Sequence, residues 1–285
     1  MNSDIIMKTG KGLDTYLTKE QIKIQAPIVF AEKPTNPLLS KQYLFVNTET
    51  IIDDLAKLNW FPVKAAQRSP RKTEGTVYSK HMVSFQNPDI LIKGEKGDDA
   101  YPRILLTNSH DGTQAFKFML GIYRLVCSNG LVVADEKFND FSIRHKGYSF
   151  DELRNVVSQA VQDLPSKVEV LNSMKNRILS EEEKHQLATD SMLIRAGIKI
   201  GSEQASGIEY NIITLKSLLS PNREEDRGND LWKVFNTLQE KIIQGDFHVA
   251  LTGAKVQKVR KIKSFEKDIK VNRELFKLAT NLLYS

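Results

Sequence analysis

The chain has 285 residues, of which 40% are hydrophobic and 27% are charged, so it can bury a substantial core and lacks the composition of a disordered protein. Its 41 Lys and Arg residues exceed its 35 Asp and Glu residues by six. Nine basic and three acidic residues lie between Gly253 and Ser285, so this segment carries the whole excess. The single cysteine, Cys127, excludes an intrachain disulfide and a zinc site built from several thiolates.

The first residues, MNSDIIMKTGKG, lack the continuous apolar run of a signal peptide. No stretch approaches the ~20 apolar residues that a membrane-spanning helix needs. We therefore expect a cytoplasmic protein without a membrane partner.

The N-terminal part of the chain predicts few regular elements. Residues 1 to about 40 show no sustained period and contain several prolines, which predicts an irregular arm. A strand is predicted over Tyr43–Asn47, followed by a helix that ends near Asn59. Phe61–Gln67 and Val77–Gln86 are typical of two strands joined by a long basic loop.

The middle of the chain has the clearest β pattern. Ile104–Thr107 and Gln114–Cys127 predict strands, and Phe141–His145 predicts another. Asn129 and Gly130 stand between two apolar runs, as in a two-residue hairpin turn, where both central residues need a positive φ. These features predict an antiparallel sheet of consecutive hairpins.

The period becomes helical from Ser149 onward. Ser149 with Glu152 predicts a capping box at the start of a helix that runs to about Leu179, and a bend at Pro165 is left open. Ser180 with Glu183 predicts a second capping box, for a helix that reaches about Arg195. Further helices are predicted over Asn211–Leu219, Asp230–Gln244, which ends at Gly245, and Asn272–Leu283.

Because strands come first and helices later, the order of elements predicts an α+β fold. The expected architecture is an antiparallel sheet of consecutive hairpins with helices packed on it, followed by a helical C-terminal half. Residues 1–40 would form the arm and 41–148 a β-rich region with one helix. Residues 149–285 would form a helical region packed on the sheet as one domain.

The sequence does not contain the usual patterns of a catalytic centre. No G-x-x-x-x-G-K-[ST] phosphate loop occurs, and no pair among the five histidines has metal-binding spacing. His110 and Asp111 resemble the adjacent pair of metal phosphohydrolases, but Ser109–Gly112 also has the composition of a turn. We therefore predict neither metal nor cofactor, and a hydrolase built on His110 and Asp111 stays open as an alternative.

Two basic stretches are candidate sites for nucleic acid, since Lys and Arg neutralise phosphates and release condensed counterions. Aromatic side chains near them are candidates for stacking on bases. The alternative is a solvated charged surface with the aromatic residues in the core. The first stretch is Lys64, Arg68, Arg71, Lys72 and Lys80; the second is Lys255, Lys258, Arg260, Lys261 and Lys263; the aromatics are Trp60, Phe61, Tyr78, Tyr123 and Phe265.

Several linked motifs resemble the phage/plasmid-like proteins of the family catalogued as domain of unknown function 932. The resemblance covers roughly residues 40 to 285. It departs from the family at Phe276, where tryptophan is frequent. The matching residues are Asn108, Ser109, His110, Asp111 and Gly112; Gly121, Arg124, Cys127, Asn129 and Gly130; Arg223, Asp226, Leu231, Trp232, Asn236, Gln239 and Glu240; Asn272 and Arg273.

The resemblance implies carriage by a phage, a plasmid or an integrated element, but the family has no firmly assigned activity. The expected order of elements is also similar to that of phage single-strand annealing proteins, which is an analogy of fold alone. In that analogy Arg124 would contact a phosphate, or would instead pair with Asp111 or Asp226. Trp232, Asn236 and Gln239 would converge on one site, or would instead be a buried Trp with capping amides.

The leading hypothesis is a DNA-binding accessory protein of a mobile element that prefers single strands and protects or anneals them without a cofactor. The alternative is a protein-interaction module that acts on a host defence or replication factor. Formation of a homo-oligomer, as in annealing rings, is left open by these residues.

Overall fold

A computed structural model gives the fold of the chain. The residues that it describes are 5–7, 16–34, 39, 45–68, 80–94, 98–112, 116–124, 130–132, 148–206, 208, 212–245, 247–249 and 257–285. The chain divides into two compact units, Met1–Pro165 and Ser166–Ser285.

The N-terminal segment contains regular structure that the sequence did not predict. Strand β1 is Ile5–Met7, helix α1 is Lys19–Gln25, and a 3-10 helix covers Pro27–Phe30. A capping box between Thr18 and Gln21 starts α1. The prediction of an irregular arm was wrong here, because a seven-residue helix that buries only one of its side chains shows no period in sequence.

Helix α2, Thr48–Lys57, confirms the first predicted helix. Asn47 starts it, because its side chain accepts a hydrogen bond from the Glu49 backbone N–H at 2.8 Å. The predicted strand over Tyr43–Asn47 is wrong for Phe45–Asn47, which lead into this cap without forming a strand. Tyr43 and Leu44 lie outside the described residues.

The predicted antiparallel sheet is confirmed, and the fold is α+β. Besides β1, the strands are β2 Phe61–Gln67, β3 His81–Gln86, β4 Ile90–Ile92, β5 Ala100–Asn108, β6 Lys117–Arg124 and β7 Gly130–Val132. Within the described residues the sheet has seven strands, in the order β1-β4-β5-β3-β2, with β6 on β5 and β7 on β6. Strand β4 was not predicted, and Phe141–His145 and Asn129 lie outside the described residues. Gly130, which was expected in a two-residue turn, instead begins β7 and pairs with Tyr123.

One face of the sheet carries the core of the first unit. The register pairs Val83 with Leu106 and Leu106 with Phe118, so apolar side chains of three neighbouring strands lie side by side. Helix α2 buries Ile51 against this core, as does the first half of helix α3, Phe150–Asn176, with side chains such as Leu153. On the same face, the register places His81 opposite Asn108 beyond the apolar residues.

The second unit is mainly helical. The Ser180–Glu183 capping box and the end of a helix at Gly245 are both confirmed. The last helix begins at Phe265 after the cap residue Ser264, seven residues before its predicted start. The helices are α4 Glu181–Ala196, α5 Glu203–Ser206, α6 Ile212–Leu219, α7 Leu231–Gln244 and α8 Phe265–Leu283, and a short hairpin pairs β8 His248–Val249 with β9 Gln257–Lys258.

Helices α7 and α8 pack through aromatic side chains. Trp232 stacks on Phe235 at a centroid distance of 6.2 Å, and Phe235 meets Phe276 edge-on at 6.2 Å. Among the described helices, none has both the length and the apolar content to cross a membrane.

Gly245, at the end of α7, brings a later segment of backbone into direct contact. Its φ is +74°, and a Cβ built there would lie 2.6 Å from the carbonyl carbon of Arg260 and 2.7 Å from the carbonyl oxygen of Val259. No residue with a side chain fits this position without displacing backbone. Glycine therefore sets how closely residues 259–261 approach α7.

We expect Gly245→Ala to lower the free energy of unfolding by at least about 3 kcal/mol, since it combines a strained φ with a backbone clash. Gly201→Ala is the matched control, because Gly201 has a φ of +75° and no atom within 4 Å of the added Cβ. The control should lower the free energy of unfolding only by about 1–2 kcal/mol, the cost of placing a side chain at a positive φ. Equal losses in urea denaturation would contradict the close approach.

Candidate nucleic-acid interface

The residues Lys258–Lys263, which we name the cationic segment, connect β9 to the cap of α8. The side chains of Lys258, Arg260, Lys261 and Lys263 are exposed, whereas Ile262 is buried. The buried Ile262 side chain and the half-buried Val259 hold the segment on the unit, while the basic side chains are exposed to solvent. The result is a row of cations on a segment that is anchored along its length.

Backbone hydrogen bonds anchor the same segment. The Val259 N–H donates to the Phe247 carbonyl and the Ile262 N–H donates to the Ile243 carbonyl, both at 2.9 Å. Since Ile243 lies in the last turn of α7, one of these bonds satisfies a helix-terminal carbonyl. Together with the contact at Gly245, they fix the backbone on which the charges stand.

Arg195, in the last turn of α4, adds a positive charge behind the segment. Its Nη2 donates a hydrogen bond to the Arg260 carbonyl oxygen. Its side chain is half-buried, and burial lowers the pKa of Arg195 below its ordinary value. An arginine remains charged after such a shift, so it strengthens the positive potential at this surface.

The cationic segment keeps much of its charge available to a ligand. Within the part of the chain that the structure describes, no carboxylate lies in ion-pair distance of Arg260, Lys261 or Lys263. Lys258 is exposed but makes interactions inside the protein. Lys255 lies outside the described residues.

Helix α8 continues the positive surface. Lys267, Lys270 and Lys277 are exposed, and 3.6 residues per turn places them within an arc of about 80° on the helix. Glu274 lies on this face and approaches Lys270 at 3.8 Å, a pair that is weak at such exposure. The sequence did not place Lys267 and Lys270 on a helix, because α8 was expected to begin only at Asn272.

The basic stretch of the first unit is only partly described. Arg68 is exposed and Lys80 is half-buried, and the Arg68 N–H donates to the Lys80 carbonyl at 2.8 Å. Both residues make further interactions within the protein. Arg71 and Lys72 lie outside the described residues, so their predicted role stays a prediction.

Arg124 pairs with a carboxylate in the sheet unit. Its Nε donates to Asp98 Oδ1 at 2.8 Å and its Nη2 to Oδ2 at 2.6 Å, and only 4% of its side chain is exposed. The alternative of a carboxylate partner therefore describes Arg124, and the partner that the structure shows is Asp98 in place of the expected Asp111 or Asp226. The register explains the correction, since Arg124 pairs with Ala100 and Asp98 lies two residues before it.

The aromatic residues proposed for stacking mostly serve the protein interior. Trp60 is buried, Phe61 packs on Tyr16 at 5.1 Å, and the Arg103 guanidinium covers the Tyr123 ring at 4.3 Å. Phe265 is half-buried at the start of α8, and Tyr78 lies outside the described residues. The alternative that the aromatic residues lie in the core therefore describes Trp60. Contacts to nucleic-acid bases would have to come from other side chains.

The family motif around residue 110 forms a buried polar cluster. The Thr48 hydroxyl contacts Asn108 Nδ2 at 3.1 Å, His81 Nε2 at 2.9 Å and His110 Nε2 at 3.3 Å. The two imidazole rings stack at 4.8 Å. Asp111, the residue after His110, is buried as well. The cluster therefore joins the N-terminus of α2 to β3 and to the turn after β5.

The cluster constrains the protons on the two histidines. A hydroxyl has one proton and two lone pairs, and Asn108 uses one lone pair of Thr48 by donating to it. One histidine must then donate its Nε2 proton to Thr48, while the other accepts the hydroxyl proton. When both imidazoles are neutral, His81 and His110 are therefore opposite tautomers that share one hydroxyl in a structural network.

Sequence reasoning missed the part that His81 and Thr48 play in this cluster. His81 and His110 are far apart in sequence, and only the register that sets His81 opposite Asn108 brings them together. Within the described residues, no group of three or more His, Cys, Asp or Glu side chains is arranged to hold a metal ion. Cys127 lies outside those residues.

The motif residues of α7 hold the second unit together. Trp232 is buried, Asn236 Nδ2 donates to the Trp232 carbonyl at 2.7 Å, and Gln239 Nε2 donates to Asn272 Oδ1 at 2.6 Å. Asn272 Nδ2 in turn donates to Asp268 Oδ1 at 2.6 Å. The alternative of a buried Trp with bonded amides therefore describes this motif.

These motifs agree with the comparison to known proteins. The model of the family described as Domain of unknown function (DUF932) matches residues 38–276. The chain belongs to this family, and the resemblance in its sequence is confirmed.

Two relatives come from Escherichia coli strain K12. The UPF0380 protein YfjQ is 30% identical over 278 residues, which cover 95% of this chain and 93% of the relative. The UPF0380 protein YafZ is 30% identical over 275 residues, with the same coverage. No solved structure matches the chain.

We expect Thr48→Val to lower the free energy of unfolding by about 2–4 kcal/mol, because it removes a hydroxyl that three buried groups share. Thr48→Ser keeps the hydroxyl and should lose about 1 kcal/mol or less, the contribution of one methyl group. Urea denaturation of the two variants measures the difference. Equal losses would show that the hydroxyl does not organise the cluster.

Proposed function

We propose that this protein binds nucleic acid, with a preference for single-stranded DNA, through the cationic segment and the lysine face of α8, formed by Lys267, Lys270 and Lys277. The observation that supports the proposal is the exposure of Arg260, Lys261 and Lys263 on an anchored backbone. Phosphates are bound by such side chains because each contact releases condensed counterions.

The balance of charge in this part of the chain supports the same ligand. Residues 257–285 contain eight basic and three acidic residues, and the lysines of α8 extend the segment over about 15 Å of helix between Lys267 and Lys277, at 1.5 Å per residue. An extended polyanion matches an extended row of cations better than a compact acidic ligand does. The backbone is ordered before binding, which lowers the entropic cost of association.

The role as an accessory protein of a phage or other mobile element belongs to the same proposal. It rests on the resemblance of the motifs, and annealing of strands rests on analogy of fold. No nucleotide cofactor is needed for either role, since binding and annealing of strands are driven by charge and base pairing. A cytoplasmic location is part of this proposal.

We expect the triple variant Arg260→Gln, Lys261→Gln, Lys263→Gln to bind single-stranded DNA more weakly and with less dependence on salt. Each single-strand phosphate contact contributes about −0.7 to the slope of log K against log salt, so three lost contacts make the slope shallower by about 2. Fluorescence anisotropy with a labelled oligo-dT at several salt concentrations measures both quantities.

The matched control is Lys23→Gln, Lys33→Gln, Lys93→Gln, which removes three exposed lysines outside the cationic segment and changes the net charge equally. It should keep the wild-type slope. If both triple variants lose the same affinity, binding depends on net charge alone and the assigned surface is wrong. If the wild-type protein binds neither single strands nor duplex, the alternative of a protein-interaction module takes its place.

A further inference from the structure

A groove lies in the second unit between the C-terminal end of α4 and helix α8. Its volume is about 400 Å³, which falls in the range of about 300–1,000 Å³ typical of ligand sites. Apolar side chains from both sides line it: Ile194, Ile198, Ile200 and Leu278. Ile200 is 40% exposed, so the groove presents apolar surface to solvent.

The rim of the groove is basic. Lys199, Lys270 and Lys277 contribute to its lining, together with a single acidic residue, Glu274. Lys270 and Lys277 belong to the lysine face of α8. An occupant with an apolar body and a negative charge is complementary to such a groove, because the floor desolvates the body while the ammonium groups contact the charge.

Helix α8 joins the groove to the cationic segment, because it begins two residues after Lys263 and its Lys270 lines the groove. Ile194 lines the groove, and its neighbour Arg195 donates to the Arg260 carbonyl within the segment. Gly197, with a φ of +77°, ends α4 and lines the groove as well. A strand whose phosphates lie on the segment and on α8 therefore passes along the edge of the groove.

We infer that this groove receives an unpaired base of a single-stranded nucleic acid, and this inference rests on the proposed function. Only an unpaired base can leave the stack without breaking a base pair. Basic side chains alone bind duplex and single strands alike, so the groove supplies the preference for single strands. It also takes the place of the aromatic residues that are engaged inside the protein.

The test uses the full-length protein and two fluorescent single-stranded oligonucleotides with the same number of phosphates, one of oligo-dT and one with abasic sites throughout. Wild-type protein should bind oligo-dT about five- to tenfold more tightly than the abasic strand, as for burial of a small apolar group. Ile200→Ser removes apolar surface from the groove without a change in charge. It should bring the two affinities within twofold of each other.

Ile178→Ser is the matched control, because Ile178 is a 62% exposed isoleucine of the same unit that does not line the groove. Ile178→Ser should keep the wild-type ratio of the affinities for oligo-dT and the abasic strand. Both variants should bind the abasic strand with the wild-type affinity. Thermal unfolding should show both variants folded.

The outcomes separate the groove from the proposed function. Salt-dependent binding with equal affinities for oligo-dT and the abasic strand overturns the groove inference and leaves the proposed function standing. Absence of binding to every oligonucleotide overturns both. A further outcome is that polyglutamate displaces oligo-dT from the wild-type protein and does so more weakly from Ile200→Ser. This outcome assigns the groove to an acidic protein segment and overturns the inference.

Discussion

The contact between Gly245 and the backbone of residues 259–261 is the constraint on which the proposed interface depends. It brings the cationic segment against the end of α7 with no side chain in between. A segment of four basic and two apolar residues would otherwise be a solvated loop, in which each residue that binds a ligand loses backbone and side-chain entropy. Here the hydrogen bonds to Ile243 and Phe247 have already restricted the backbone, so a ligand orders mainly side chains.

The strongest motifs of the sequence belong to the interior. Asn108 and His110 share the Thr48 hydroxyl, while Gln239 bonds to Asn272 across two helices. Buried hydrogen bonds of this kind require particular side chains at particular distances, which makes the identity and spacing of the motif residues specific to one fold. The motif residues shared with the family therefore determine mainly how the chain folds. A ligand would contact exposed residues, and few of the motif residues that the structure describes are exposed.

Local signals explain which elements were predictable. Strand β2 and helix α7 follow from short-range periodicity, and the caps at Ser180 and Gly245 follow from backbone groups that a neighbouring residue must satisfy. Strands β1 and β4 have three residues each, too few for a period, and their pairing is long-range.

The first turns of α8 were missed because Phe265 to Lys270 are mostly polar. The lysines that these turns place on one face could not be grouped from sequence, and the groove, which needs the packing of α4 on α8, could not be predicted at all.

Charge and apolar contact make separable contributions to the proposed binding. Attraction between ammonium groups and phosphates falls with salt and does not distinguish a base from an abasic site. Contact between a base and Ile200 or Leu278 depends little on salt and requires that the base be unpaired. A protein that used charge alone would coat duplex as readily as single strands. In the proposed complex, α8 carries both the lysines and one wall of the groove, so the two contributions would act on one strand. Discrimination would then come from the weaker apolar contact, while the electrostatic attraction would supply most of the affinity.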